Sequence, residues 1–242
     1  MANWSDPRTG AATFAPTAAR AGAYDEGLRS YMLSVYNRMA SGVLLTGIVA
    51  LLFAYSGAAA TVMTTPLAWV IMLAPLGFVF ALSFGANRMT TATMSLLFWA
   101  FAVVMGLSLS TVFLAYTNTS IAGAFFATAA AFAGLSLYGY TTKRDLAPFG
   151  TFLIMGVVGL IVASLVNLFL QSGPMGMVIS AIGVLLFAGL TAYDTQKIKS
   201  LYFEVAGTDM AGKTAILGAL NLYLDFINMF LFILRLFGSS RN

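Results

Sequence analysis

The chain has no cysteine and no histidine among its 242 residues. Without cysteine there is no disulfide framework. Without either residue, zinc sites of the usual Cys/His kind are excluded. So are serine–histidine and cysteine–histidine nucleophile pairs. Charge is scarce as well: twelve Lys and Arg with eight Asp and Glu make up 8% of the chain. An average soluble domain carries about 25%, so a solvated surface cannot be covered. Disorder is excluded too, because it needs low hydrophobicity and high charge. What the chain does have is apolar residues, at 60%. This composition predicts an all-α polytopic membrane protein, with length for about seven spans of roughly 20 residues each. Any proton or metal chemistry must then use the eight carboxylates. The net charge of +4 reads as orientation in a membrane rather than nucleic-acid binding.

Seven apolar stretches are predicted to span: Met39–Tyr55, Pro66–Gly85, Met94–Tyr116, Ile121–Tyr140, Pro148–Leu170, Met177–Tyr193 and Thr214–Phe237. They are continuously apolar and lack the alternation of barrel strands. Basic residues fall in alternate linkers. Arg8, Arg20, Arg29 and Arg38 precede span one, and Arg88 follows span two. Lys143 and Arg144 follow span four, and Lys197, Lys199 and Lys213 follow span six. These are ten of the twelve basic residues. By the positive-inside rule that side is cytoplasmic, with the N-terminus inside and the C-terminus outside. Arg241 then lies on the wrong side and Arg235 near the outer end.

The organisation predicted is a flexible cytoplasmic tail over 1–23, a helix over 24–38, the membrane domain over 39–237 and a short tail over 238–242. In the second segment Leu28, Tyr31, Met32, Val35 and Met39 recur at helical spacing. Two readings stand open. The segment is an amphipathic helix on the inner membrane surface, or a cytoplasmic extension of span one.

Residues 207–214, Gly-Thr-Asp-Met-Ala-Gly-Lys-Thr, match the phosphate-loop pattern GxxxxGKT letter for letter. The preceding Leu201–Val205 has strand character. The context defeats the match, because a nucleotide fold needs a parallel sheet covered on both faces. Here the loop lies between two spans. No nucleotide is expected, and Lys213 reads as an anchor for span seven.

Two acids interrupt apolar runs. Asp194 closes span six, and Asp225 sits inside span seven. A carboxylate at a helix centre costs about 2.5–3.5 kcal/mol on insertion scales, so such a residue is a functional candidate. Asn221, Asp225 and Asn228 are spaced i, i+4, i+7 and share one helix face. That polar stripe should face the bundle interior, which makes span seven the central helix. Two carboxylates in a low-dielectric site cannot readily both be ionised, and they titrate as a unit. Their oxygens suit a hard cation such as Ca²⁺, as a permeant or bound ion and not a tight cofactor. The pair equally suits a pH sensor, with Arg88 as counter-charge. There is one difficulty of depth. Asp225 lies roughly 16 Å past the start of span seven, whereas Asp194 sits near the inner mouth. They meet only if span seven begins deeper in the cytoplasm or is tilted.

At these residues the chain resembles the Bax-inhibitor (transmembrane Bax inhibitor motif) family, in its bacterial YccA-like branch. The marks are Asp25-Glu26-Gly27-Leu28-Arg29 and Val35-Tyr36-Asn37, then Thr142-Lys143-Arg144-Asp145-Leu146 and Tyr193-Asp194-Thr195-Gln196. Leu222-Tyr223-Leu224-Asp225-Phe226-Ile227-Asn228 and Leu234-Arg235 complete them. The resemblance implies six helices wrapped around a central seventh in a bacterial inner membrane. It implies a pH-sensitive Ca²⁺ leak channel, with Asp194 and Asp225 as the paired sensor and Arg88 as the lock of the closed state. Some members carry an acid in mid span two, where this chain reads Leu73-Ala74-Pro75-Leu76-Gly77-Phe78. A second reading is a non-transporting protein that binds or modulates a membrane-embedded protease through its free tail. A third is an intramembrane aspartyl protease. Against the third, Leu222-Tyr223-Leu224 precedes Asp225 where a glycine-rich approach would be needed. No enzyme is therefore expected.

Overall fold

The computed structural model describes residues 17–241, with side chains from residue 26 onward. Eight helices follow in order: α1 Thr17–Tyr55, α2 Ala58–Met63, α3 Leu67–Gly85, α4 Thr91–Ala115, α5 Asn118–Thr141, α6 Ala147–Leu170, α7 Gly173–Val205 and α8 Met210–Phe237. All but the short α2 carry a stretch long and apolar enough to cross a membrane. The protein is an all-α polytopic membrane protein with seven spans, as its composition predicts.

The helix starts are written locally. The side-chain oxygens of Thr90, Thr117 and Ser172 accept from the backbone N–H three residues on. Asp145 accepts from the Ala147 N–H at the start of α6, at 2.9 Å. Each satisfies a donor that a helix start leaves unpaired.

Two helices run further than hydropathy alone indicates. Residues 1–16 of the expected tail lie outside the described residues, and α1 is already helical at Thr17. It continues without a break to Tyr55, so residues 24–38 and span one form a single helix. The reason is packing. Leu28, Tyr31, Met32, Val35 and Met39 are all buried in the protein core. The Tyr31 ring sits 5.2 Å from that of Tyr202 in α7. Its hydroxyl donates to Thr214 of α8 at 3.3 Å. Likewise α7 does not stop at Tyr193. It carries on through Asp194, Lys197 and Lys199 to Val205, because Thr195 and Ile198 on its inner face stay buried. Helix hydrogen bonding does not require an apolar sequence, only a partner for the buried face.

The last helix is the centre of the bundle. Helices α1, α3, α4, α5 and α7 all pack on α8, while α6 docks on α7 one layer out. Burial follows the same order. Fifteen residues of α8 are buried, against three of α6. With no hydrophobic drive between helices in lipid, small residues let them approach closely. At Gly218 of α8 a methyl group would come within 3.2 Å of the Ile198 side chain of α7. Gly139 of α5 lies against the backbone carbonyl of Ala192 in α7, with no space for a methyl group. Gly139→Ala should therefore separate α5 from α7 and cost about 1–3 kcal/mol. Gly134→Ala, on the same helix with open space around it, should hold or raise stability by up to about 1 kcal/mol. Thermal unfolding of the two variants in one detergent checks this contrast.

The bundle has a basic end, formed by the Arg88 turn, the Lys143–Arg144 loop and Lys213 in the first turn of α8. The C-terminal strap lies at the other. Thr117 N–H donates to Ser239 O, and Arg241 N–H to Ala115 O. The Arg241 guanidinium donates to Phe113 O at 2.9 Å. A cation is favourable at the C-terminal end of α4, which explains a basic residue at this end without a topology change. The stretch resembling a phosphate loop joins helix to helix. Leu201–Val205 is the last turn of α7 rather than a strand, and residues 206–209 make the turn, with Gly207 at φ 76°.

Candidate functional site

The depth difficulty between the two acids is resolved by where the helices end. Helix α7 continues about 17 Å past Asp194, and α8 begins about 22 Å before Asp225, at 1.5 Å per residue. Both carboxyls therefore lie well inside the bundle at similar depth. They are close enough for the charge of Asp194 to act on Asp225. Asp225 is 4% exposed. Its Oδ2 is buried with no hydrogen-bond partner, although nearly all buried polar atoms in folded proteins have one. Asp194 is half-buried, and Lys197, one turn on, is the cation whose charge acts on it.

Of the polar stripe of α8 only Asp225 is buried, and its members do different things. Asn221 and Asn228 are half-buried. The Asn228 side chain donates back to Leu224 O of its own helix at 2.8 Å, so it does not bridge to the acids. Arg88 stands apart. It is exposed in the turn between α3 and α4.

The motif around Asp194 holds more than the acid. Its four residues reach four different parts of the bundle. The Tyr193 ring fills the space over Gly150 of α6, with the Lys197 ammonium 5.8 Å from its centroid. Asp194 faces Asp225. Thr195 is fully buried, and its hydroxyl is 3.5 Å from that of Tyr36 in α1. Gln196 accepts from Leu146 N–H and donates to Arg144 O, both at 2.8 Å, pinning the α5–α6 loop. Tyr36 and Gln196 each find their partners far along the chain, up to 159 residues away.

Two residues before Asp225 and on another face of the helix, Tyr223 ties α8 to the core. It is fully buried, 5.0 Å from Phe101 and 6.3 Å from Phe98 in α4, edge-on to each. Its hydroxyl lies 2.7 Å from that of Thr46 in α1. Thr46 uses its only proton on Ala102 O at 2.8 Å, so the Tyr223 hydroxyl donates to Thr46. This chain links α8, α1 and α4 beside the acid pair and fixes the register of α8.

The pair offers oxygens to a hard cation but few of them. Ca²⁺ takes six to eight oxygen ligands. Among the described residues no group of three or more His, Cys, Asp or Glu converges. Two carboxyls alone suit passage or transient binding of a cation better than retention.

Comparison with known proteins agrees with this architecture. RP147, an uncharacterised protein of Rickettsia prowazekii (strain Madrid E), is 48% identical over 221 residues, 90% of this chain and 93% of its own length. A Caulobacter vibrioides protein is 45% identical over 230 residues, 90% and 91% of the two chains. The inner membrane protein YbhL of Escherichia coli (strain K12) is 44% identical over 219 residues, 89% of this chain and 94% of its own. Residues 28–242 match the family model described as inhibitor of apoptosis-promoting Bax1. With seven spans, the last of them central to the bundle, and this family model matching almost the whole chain, the chain belongs to the Bax inhibitor family.

Proposed function

We propose that the protein is a pH-sensitive leak channel for Ca²⁺ or a like cation, gated by Asp194 and Asp225, in the inner membrane of a bacterial cell. The observation that carries the reading is the buried, unpartnered Oδ2 of Asp225 facing a second carboxyl. A carboxyl held this way is expensive in hydrocarbon and does nothing for packing that leucine would not do better. Protonation is what makes its burial tolerable, so the proton count of the pair biases which bundle conformation is populated.

Arg88 enters the proposal as the counter-charge of the closed state. In the conformation described it is exposed, so closing brings the basic end of α3 inward. The basic end is cytoplasmic by the distribution of Lys and Arg, which puts the N-terminus inside. We read the pair as non-catalytic. Leu222 and Tyr223 before Asp225 are fully buried and bulky, and they leave no room for a peptide backbone.

The test is reconstitution into liposomes loaded with a Ca²⁺ indicator, with influx followed across roughly pH 5–8. Influx that changes with pH supports the reading. No influx at any pH, in protein shown to be folded, overturns it. The alternative, a non-transporting modulator of a membrane-embedded protease, would then take its place.

A further inference from the structure

Helices α1 and α5 both pack on α8, yet their backbones do not meet among the described residues. The gap is a groove, open on the side of the bundle, with α8 as its floor. Its part toward the basic end has a volume of about 740 Å³, within the roughly 300–1,000 Å³ of ordinary ligand sites. A second cavity of about 400 Å³ continues it, sharing Val43, Phe125 and Phe226. Phe226 of α8 lies between Phe125 and Phe132 of α5, 5.6 Å from each ring, which holds the floor in place. At the far end the groove is clasped by Asn118, which donates to the Tyr55 hydroxyl at 2.7 Å. At the basic end it is open.

The chemistry along the groove is ordered. Exposed Arg29 stands at the mouth. Tyr36 and Tyr140 come next, and Lys199 holds Tyr140 by donating to its carbonyl at 2.7 Å. Then comes Ser136, which is 6% exposed and lines the groove with a hydroxyl that has no partner. Beyond it the lining is mainly hydrocarbon and aromatic, with Thr46 and Asn118 in its far part. From Arg29 to Leu44 along α1 is about 22 Å, half of a bilayer about 40–45 Å thick with its headgroups.

We infer that this groove is a binding site for one anionic phospholipid. Its phosphate meets Arg29, its glycerol ester accepts from Ser136, and an acyl chain lies over Phe226 between α1 and α5. Each part answers one observation. A cation at the mouth meets the phosphate, since basic residues at a membrane surface attract anionic lipid. The orphaned hydroxyl gains an ester oxygen one layer deeper. The apolar floor is covered by a chain rather than left against loosely packed lipid. A partner helix would account for the apolar walls but not for the cation and the hydroxyl in that order.

The test is native mass spectrometry on the full chain in detergent, with phosphatidylglycerol or phosphatidylcholine of identical acyl chains added. The wild type should retain one phosphatidylglycerol with about fivefold preference, because the choline cation of phosphatidylcholine offsets its phosphate, on the scale of one basic residue at an anionic membrane surface. Arg29→Ala should bring that preference close to one. Ala133→Trp, which fills the groove from α5, should lower retention of both lipids. Ala40→Trp fills it from the α1 wall and serves should the first variant not fold. Equal retention of the two lipids by the wild type would overturn the proposal. So would retention at the wild-type level by a folded tryptophan variant, which would mean only general lipid contact. Dimerisation that the tryptophan variants abolish and added lipid leaves unchanged would also overturn it, and would make the groove a protein interface.

Discussion

Asp225→Asn is expected to flatten the pH profile of cation flux while leaving the protein as stable as before, or more so. Asparagine has the shape of the protonated carboxyl and cannot ionise. The variant's flux at neutral pH should therefore equal the wild type's at acid pH, and stay there as pH rises. For a switch linked to one proton, the population ratio changes by up to about tenfold per pH unit. A wild-type profile of that steepness should fall to less than about twofold across the whole range. Stability separates this from a structural role. The Asp225 Oδ2 has no hydrogen bond to lose, and a charge-capable group is taken out of hydrocarbon, where it costs about 2.5–3.5 kcal/mol. Thermal unfolding together with flux checks both halves. A lowered Tm with an unchanged pH profile would make Asp225 a structural residue.

Tyr223→Ala is expected to be the most destabilising single change near the site, at about 3–5 kcal/mol. The ring is fully buried against Phe98 and Phe101. Its removal leaves a cavity where α1, α4 and α8 meet, and it strips Thr46 of a donor. Tyr223→Phe keeps the ring and loses only the hydrogen bond, so about 1–3 kcal/mol is expected. Measured by denaturation in detergent, the alanine variant should fall well below the phenylalanine one. Equal losses would show that the hydroxyl, and not the ring, holds α8 in place.

Much of this arrangement was readable along the chain, for reasons that differ by residue. The spans could be seen because hydrocarbon demands long apolar helices. The central place of α8 could be seen because Asp225 interrupts its apolar run and a carboxyl avoids lipid, although Asn221 and Asn228 beside it are only half-buried. The continuations of α1 and α7 beyond the apolar runs could not be located from hydropathy. They are held by contacts between distant segments, such as Tyr31 with Tyr202 and Thr214. Those contacts are also what bring Asp194 and Asp225 to one depth. The pairing of Tyr36 with Thr195, and of Gln196 with the α5–α6 loop, joins residues far apart in sequence. Local spacing carries no trace of such partners. Arg241 looked misplaced by the charge rule alone. The carbonyls of Phe113 and Ala115 at the end of α4 account for it.

The central claim is that Asp194 and Asp225 act as one titrating unit, and a double-mutant cycle on the pH dependence of flux tests it most directly. Asp194→Asn, Asp225→Asn and the double variant are compared in the same liposomes. If the pair is one unit, the double variant resembles either single variant, with a coupling energy in the range of about 0.5–3 kcal/mol for residues in contact. Effects on the pH profile that simply add, within about 0.3–0.5 kcal/mol, would mean the two carboxyls act independently and would contradict the account.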